Sequence, residues 1–159
     1  MIYKASLDTT AKIVTIGVTV LFACLIIWPL FEIKNNGVAS AIYVPAILLV
    51  LYFACWIYSP KSYSVSAHAI TIKRPIGNIV IPKNSIKTVA IQEKGMPFAV
   101  RTFGVGGLFG YFGTFYNFDS GNMNWYITNR NNTVLITTKS GKKIVVSPDE
   151  KEAFVAALV

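Results

Sequence analysis

Two long stretches without a charged residue occupy most of the first 60 residues of this chain. Nineteen uncharged residues lie between Lys12 and Glu32, and a second uncharged run extends from Asn35 to Pro60. A helix that rises about 1.5 Å per residue crosses a hydrocarbon core of about 30 Å with about 20 residues. Since a helix pairs its own backbone N–H and C=O groups, it tolerates the absence of water there. The sequence therefore predicts two transmembrane helices, over about 13–32 and 38–58.

The residues at the ends of these runs indicate how the helices are arranged. Trp28 and Phe31 close the first run, and Trp56 and Tyr58 close the second, as in the aromatic belts at membrane–water interfaces. The connection between the runs, around residues 34–37, is so short that the two helices must be antiparallel. We therefore predict a two-helix hairpin that forms a membrane anchor over residues 1–60.

Lysine and arginine in the flanking segments predict the orientation of this anchor, because cytoplasmic flanks carry an excess of these residues. The connecting loop carries only Lys34, beside Glu32. The flanks at the other end of the hairpin carry more basic residues, namely Lys4, Lys12, Lys61, Lys73 and Arg74. We expect a multi-pass plasma-membrane protein with both termini in the cytoplasm and the loop outside.

A secretory signal peptide is the competing interpretation of the first run, because Ala39-Ser40-Ala41 matches the A-x-A cleavage pattern. The run is longer than the usual apolar region of about 7–15 residues, and both Glu32 and Lys34 precede the cleavage pattern. A second run of spanning length also follows at once. The sequence therefore favours a retained anchor over a cleaved leader.

The remainder of the chain, residues 61–159, is basic and has the pattern of a β domain. It holds twelve Lys and Arg against five Asp and Glu, and both cysteines, Cys24 and Cys55, lie outside it in the apolar runs. A disulfide-stapled secreted domain is thereby excluded. Short segments of β-forming residues are separated by turn residues. The pattern predicts a sandwich or barrel of seven or eight short strands, near residues 63–65, 70–73, 78–81, 86–92, 114–116, 124–128, 133–137 and 143–146.

The last residues have the pattern of a single helix. Residues 147–150 (SPDE) match a capping box, with Ser147 at the N-cap and Glu150 three residues later. The segment that follows places Phe154, Val155 and Leu158 on one face. We predict a short amphipathic helix that closes the β domain.

This order of segments, together with a glycine-rich stretch, resembles a known family. The stretch runs from Arg101 to Gly113 (RTFGVGGLFGYFG), and it is followed by WYIT at 125–128, VLIT at 134–137, GKK at 141–143 and VSPD at 146–149. These features resemble the small bacterial pleckstrin-homology-like (PH-like) domains, which often follow one or two membrane spans. The resemblance implies a PH-like, bent antiparallel sandwich of about seven strands capped by a C-terminal helix over residues 61–159, in a bacterial inner-membrane protein.

The same resemblance implies binding rather than catalysis. PH-like domains bind inositol lipids, peptides or other proteins, and the lipid binders of this fold use a basic cluster in their first hairpin loop. The corresponding loop in this chain is residues 74–78, where Lys73 and Arg74 are the nearby basic residues. This set is sparser than the cluster that phosphoinositide binders use.

Residues that catalyse reactions or hold cofactors are scarce in the basic half. It has a single histidine, His68, and its carboxylates are Glu93, Asp119 and three at the start of the last helix. The glycine-rich stretch has Phe109 where G-x-G-x-x-G needs its last glycine, and it lacks the Lys of a Walker loop. We interpret it as a bent, glycine-permitted crossing or bulge, and we predict a non-enzyme without cofactor or metal. Nucleic acid is disfavoured as a partner, because no RNA-binding aromatic motif or recognition helix is present.

The sequence therefore predicts a protein-interaction scaffold or a sensor of the lipid surface. Its expected partners are the bilayer itself, a protein of unknown identity and an anionic lipid. The residues we expect to make contact with a protein or with anionic lipid are Lys73, Arg74, Lys83, Lys87 and Arg101. The alternative is an accessory subunit of a membrane transporter or enzyme complex, which we would expect to carry a charged residue inside a span, and the two predicted spans have none apart from Glu32 at the end of the first.

Overall fold

Two long helices precede the β domain. The structure, a computed structural model, describes residues 1–36, 38–92 and 99–158, and it gives side-chain contacts for these except residues 29–36, 38–42 and 44. Helix α1 is Thr9–Asn36 and helix α2 is Val38–Tyr58. The two helices are in contact, with Thr19 Oγ1 2.8 Å from Tyr52 Oη. Gly37 of the predicted connection and Glu93 lie outside the described residues.

The start of α1 is set by a capping side chain that also holds the β domain. The Ala11 N–H donates to Asp8 Oδ1 at 2.7 Å, which is the bond of an N-cap residue. Tyr111 Oη donates to the same oxygen at 3.1 Å, and the Arg130 N–H donates to Asp8 Oδ2 at 3.1 Å. One carboxylate therefore begins the helix and joins it to the domain.

The helices present their apolar side chains outward rather than to a protein core. Among the described residues, one segment, Thr9–Trp28, is long and apolar enough to cross a membrane, and 6% of it is buried. The apolar segment Pro45–Tyr58 is shorter. A core helix of a soluble protein would be mostly buried, so α1 does not have that role. Trp28, Trp56 and Tyr58 of the predicted aromatic belts are 66%, 42% and 51% exposed.

The β domain is a sandwich of two sheets, which confirms the predicted PH-like fold class. The first sheet has the order β1-β2-β3-β4 and the second the order β5-β9-β10-β8-β7-β6. The described residues form ten strands rather than the predicted seven, namely β1 (Ile2–Lys4), β2 (Ser62–Val65), β3 (Ala69–Lys73), β4 (Ile79–Pro82), β5 (Ile86–Gln92), β6 (Val100–Gly107), β7 (Gly110–Asn117), β8 (Gly121–Ile127), β9 (Thr133–Thr138) and β10 (Lys143–Val146).

Strand β1 was not predicted, because three residues give no alternating pattern to recognise. It pairs antiparallel with β2, so that Tyr3 lies opposite Tyr63. The amino group of Met1 donates to the Val65 carbonyl at 2.8 Å. A segment from before the helices is thus part of the first sheet, and the division of the chain at residue 60 remains a prediction.

The second sheet departs from the predicted all-antiparallel arrangement in one place. Strand β10 is antiparallel to β9 but parallel to β8, with Val145 opposite Trp125. The reason is the connection at residues 128–132, which carries the chain past the position of β10 before β9 begins. The β9–β10 hairpin then fills the space between β5 and β8.

The glycine-rich stretch forms most of the β6–β7 hairpin, and its glycines allow two backbones to approach closely. Gly104 faces Gly113, with φ angles of +112° and +124°. A Cβ on Gly104 would lie 2.2 Å from the Phe112 carbonyl oxygen, and one on Gly113 would lie 2.3 Å from that of Phe103. The register of the hairpin shifts between Arg101 and Phe103, just before the first glycine of the stretch.

The C-terminal helix α3, Lys151–Ala156, closes the core between the two sheets. Phe154 is fully buried against Tyr3 and Tyr63, and Val155 and Leu158 pack on the same core, as predicted. The predicted capping box is wrong, since Glu150 occupies the N-cap position and its side chain makes no capping bond. Ser147 is instead buried behind β10, where its Oγ accepts the Thr128 N–H at 2.8 Å.

Candidate functional site

A groove of about 450 Å³ lies where the end of α2 meets the β6–β7 hairpin. Its walls are apolar except for one guanidinium group. The residues that line it are Ala54, Cys55, Tyr58, Arg74, Phe103, Gly104, Val105, Phe112, Gly113 and Tyr126. We call it the junction groove. It is continuous with the outer face of α2, whose Leu51, Phe53 and Tyr58 are 55%, 53% and 51% exposed.

Arg74 enters the junction groove from the β3–β4 turn, and two aromatic rings flank it. Its guanidinium carbon lies 5.6 Å from the ring centroid of Tyr58 and 6.0 Å from that of Tyr126. Its Nε donates to the Gly77 carbonyl at 2.7 Å, and its Nη2 donates to the same oxygen. These contacts fix the position of the guanidinium and use two of its five N–H donors.

The charge of Arg74 is not neutralised by any carboxylate in the described parts of the chain. The ion pairs found there join Arg130 to Asp8 at 3.7 Å and Lys151 to Glu152 at 4.0 Å. A fixed guanidinium with free N–H donors suits carboxylate or phosphate oxygens, which it binds in a bidentate manner. The junction groove therefore combines an anion-binding group with an apolar wall.

Tyr126 forms part of that wall and is uncharged at neutral pH. Burial raises the pKa of its phenol, although the nearby positive charge of Arg74 acts in the opposite direction. Because an ionised phenol would compete for the guanidinium, the neutral ring leaves Arg74 available to an anion from outside.

The five predicted contact residues do not form one cluster. Lys73 is the last residue of β3 and Arg74 follows it, near the end of α2, where the Lys61 N–H donates to the Lys73 carbonyl at 2.8 Å. Lys83 lies beside the start of β3, since its N–H donates to the His68 carbonyl. His68 precedes Arg74 by six residues, so at about 3.3 Å per strand residue Lys83 lies about 20 Å from Arg74.

The other predicted residues have separate surroundings. Lys83 Nζ donates to the Ala157 carbonyl at 2.8 Å, so it secures the end of α3. Lys87 is exposed on β5, at the far edge of the second sheet from β6. Arg101 is exposed on β6, where its Nη1 lies 3.0 Å from the position of a Cβ on Gly106, and it does not line the junction groove. Of the five, Arg74 alone lines the junction groove.

Most of the groove was not predicted from the sequence. Tyr58 and Trp56 were expected at the interface, but the approach of Phe103, Phe112 and Tyr126 to the end of α2 depends on how the sheet docks on the helix. The available signal was the pair Lys73-Arg74 close behind a membrane span. Among the described residues, no three His, Cys, Asp or Glu side chains are grouped to hold a metal ion.

A search against protein families matched residues 61–159 to the bacterial PH domain. Neither the curated proteins nor the solved structures gave a match to the chain. PH domains are generally non-catalytic modules, in keeping with a groove whose described lining has one charged group and no carboxylate. The matched region extends over nine of the ten strands and α3. The chain therefore belongs to the bacterial PH-domain family.

Proposed function

We propose that this protein is anchored in the bacterial inner membrane by its helix pair, and that its PH-like domain senses the lipid surface by binding an anionic phospholipid in the junction groove. The observation that carries the proposal is the single guanidinium of Arg74, fixed beside the end of α2 and open to a mostly apolar groove. A phospholipid has the matching chemistry, with a phosphate at one end and acyl chains at the other.

Strand β1 supports two membrane spans rather than one. Ile2–Lys4 pairs with Ser62–Val65, so both segments must lie on the same side of any membrane that the chain crosses between them. An even number of crossings satisfies this requirement, and a single crossing does not. With α1 and α2 as the spans, the domain and the N-terminus lie together, in the cytoplasm by the distribution of Lys and Arg.

The basic residues at the helix ends support contact with an anionic leaflet. Lys61 Nζ lies 5.6 Å from the ring centroid of Trp56. Lys73 ends the adjacent strand β3, opposite Ser62, and Arg74 comes directly after it. Each Lys or Arg near such a surface contributes about 1 kcal/mol of attraction at physiological salt. Arg74 differs from the others because its side chain also lines the groove that would take an acyl chain.

The test is the lipid that remains bound to the purified protein. Arg74→Gln removes the charge at the groove, and Lys142→Gln removes a charge from the exposed β9–β10 turn as the matched control. We expect Arg74→Gln to reduce the anionic lipid recovered with the purified protein about fivefold, the equivalent of about 1 kcal/mol. Lys142→Gln should leave recovery unchanged. Lipid mass spectrometry provides the measurement.

A second variant separates the groove from simple charge. Ala54→Phe places a large apolar side chain in the groove without changing the charge, and it should reduce bound anionic lipid as Arg74→Gln does. The proposed site would be contradicted if Arg74→Gln and Lys142→Gln reduced bound anionic lipid equally and Ala54→Phe did not reduce it. That result would mean that the lipid is attracted by net charge alone.

A protein scaffold is the second candidate, and the edge strand β6 favours it. β6 is the outer strand of the second sheet, and its Val100 and Phe103 are 60% and 78% exposed. An extended peptide adds to such an edge through main-chain hydrogen bonds. A photocrosslinking amino acid at Thr102 should then capture one protein stoichiometrically in cells, and the same group at Ser140 should not.

A further inference from the structure

The turn of the β6–β7 hairpin lies against both apolar helices. Gly107 and Gly110 form the last pair of the hairpin, so Leu108 and Phe109 make a two-residue turn. The Phe109 ring packs on Tyr52 of α2, with centroids 5.1 Å apart. A Cβ on Gly107 would lie 3.1 Å from Val14 of α1, so the backbone itself touches that helix.

The depth of this turn follows from its partners on the helices, and the inference rests on the membrane anchor proposed above. Val14 comes shortly after Lys12, the last charged residue before the first apolar run, and Tyr52 comes six residues before Tyr58, where α2 ends. At about 1.5 Å per residue, these contacts lie roughly 3 and 9 Å on the membrane side of Lys12 and Tyr58. That is the depth of the boundary between headgroups and acyl chains.

Non-helical backbone at that depth needs internal hydrogen-bond partners, because water is scarce. Thr15 of α1 provides them. Its Oγ1 accepts the Phe109 N–H at 2.9 Å and donates to the Gly107 carbonyl at 3.4 Å. A hydroxyl inside an apolar helix thus takes the place of water at the turn.

The residues of the turn are also unusual for a turn that faces water. Tight hairpin turns favour Asn, Asp and Gly, and a positive φ favours Gly in particular. Here the positions hold Leu108 and Phe109, and Phe109 has a φ of +58°. A bulky residue in that conformation is an outlier. The contacts of its ring with Tyr52, and with the Lys61 ammonium 5.5 Å away, compensate for the strain.

We propose that the Leu108–Phe109 turn is a third membrane-contacting element, a β-hairpin tip that enters the headgroup–acyl boundary beside the helix pair. Its partner is the lipid bilayer. The long β6–β7 hairpin then connects lipid at its tip with the junction groove along its side.

A fluorophore that reports contact with lipid tests this proposal. In a chain with Cys24→Ala and Cys55→Ala, single cysteines replace Leu108, Leu51 of α2 or Ser140 of the distant β9–β10 turn, and each is labelled with an environment-sensitive dye. In vesicles that contain spin-labelled phospholipid, we expect loss of fluorescence for the dye at Leu108 and at Leu51, and none at Ser140. Loss of fluorescence for the dye at Leu51 but not at Leu108 would contradict the insertion of the turn. No loss of fluorescence at either position would contradict the membrane anchor itself.

The unmodified protein supplies a second measurement that does not depend on how a variant folds. Vesicles that carry a photoreactive group on the acyl chain should form adducts on Leu108 or Phe109 as well as on α1 and α2, as mapped by peptide mass spectrometry. Adducts confined to the helices would refute the proposal. The recovery of anionic lipid with Arg74→Gln, which tests the groove, is independent of this result.

Discussion

At the residue scale, Tyr63 shows how one side chain joins the two sheets of the domain. It lies fully buried on β2, and its hydroxyl donates to the Tyr126 carbonyl of β8 at 2.7 Å. The same hydroxyl accepts the Ser147 N–H at 3.1 Å, just beyond β10. Burial raises the pKa of Tyr63 from its ordinary value of 10.0 to about 12.

This shift predicts a loss of stability at high pH. Because the folded protein holds the Tyr63 proton more tightly than the unfolded chain does, the contribution is complete below about pH 10 and disappears as the pH rises to about 12. Two pKa units correspond to at most about 3 kcal/mol. We expect the free energy of unfolding in detergent to fall over this range, and to fall less in Tyr63→Phe. Identical pH dependence in the two proteins would show that Tyr63 does not titrate with unfolding.

At the scale of the element, the β6–β7 hairpin depends on glycines because its own backbone leaves no room for side chains. Gly104 and Gly113 face each other, and their backbones are too close together for either residue to carry a Cβ. The hairpin then reaches the helices as a thin ribbon, with Thr15 of α1 bonded to its turn. Farther from the turn, the hairpin packs on the rest of its sheet through side chains, as Phe115 of β7 does when it stacks on Trp125 of β8 with centroids 4.1 Å apart.

Substitution of these glycines should therefore destabilise the hairpin by more than a positive φ alone would. Gly113→Ala combines an unfavourable φ of +124° with a clash at 2.3 Å, and we expect a cost of about 3 kcal/mol or more. Gly141→Ala is the control, because its φ is +81° but no atom lies within 4 Å of the added Cβ. It should cost about 1 kcal/mol. Thermal unfolding in detergent, followed by tryptophan fluorescence, gives both values, and equal costs would show that the backbones separate freely.

At the scale of the whole molecule, the helix pair and the β domain are joined at several separate places. Strand β1 carries the N-terminus into the first sheet, Asp8 binds both α1 and the second sheet, and the β6–β7 turn contacts α1 and α2. A domain held in this way has a defined orientation relative to the helix pair. The junction groove depends on that orientation, since its walls come from α2 and from both sheets.

The proposed topology makes a prediction for intact cells. In the cysteine-free background, a cysteine at Ser140 should resist a membrane-impermeant thiol reagent until the inner membrane is opened, because the β domain lies in the cytoplasm. A cysteine at Asn36, near the connection of the two helices, should react with the same reagent while the inner membrane is still intact. Reaction of the cysteine at Ser140 in intact cells would show that the β domain lies outside the inner membrane. Protection of the cysteines at both sites would argue against two membrane crossings.

The sequence by itself determined the features that depend on neighbouring residues. Apolar runs about as long as a helix needs to cross a bilayer predicted α1 and α2, and local alternation with turn residues predicted β5 and β10 to the residue. The apolar face of α3 also followed from local spacing. These patterns reflect backbone preference and burial within a few residues.

The tertiary structure alone decided how distant segments meet. The pairing of β1 with β2 joins residues about 60 positions apart, and no pattern in the three residues Ile2–Lys4 predicts it. The burial of Ser147 displaced the predicted cap, because the ends of β8 and β10 meet there and need its hydroxyl. The junction groove likewise exists because packing brings Arg74, Tyr58 and Phe103 together from three separate elements. Such meetings depend on the burial of side chains across the whole domain, which local sequence does not encode.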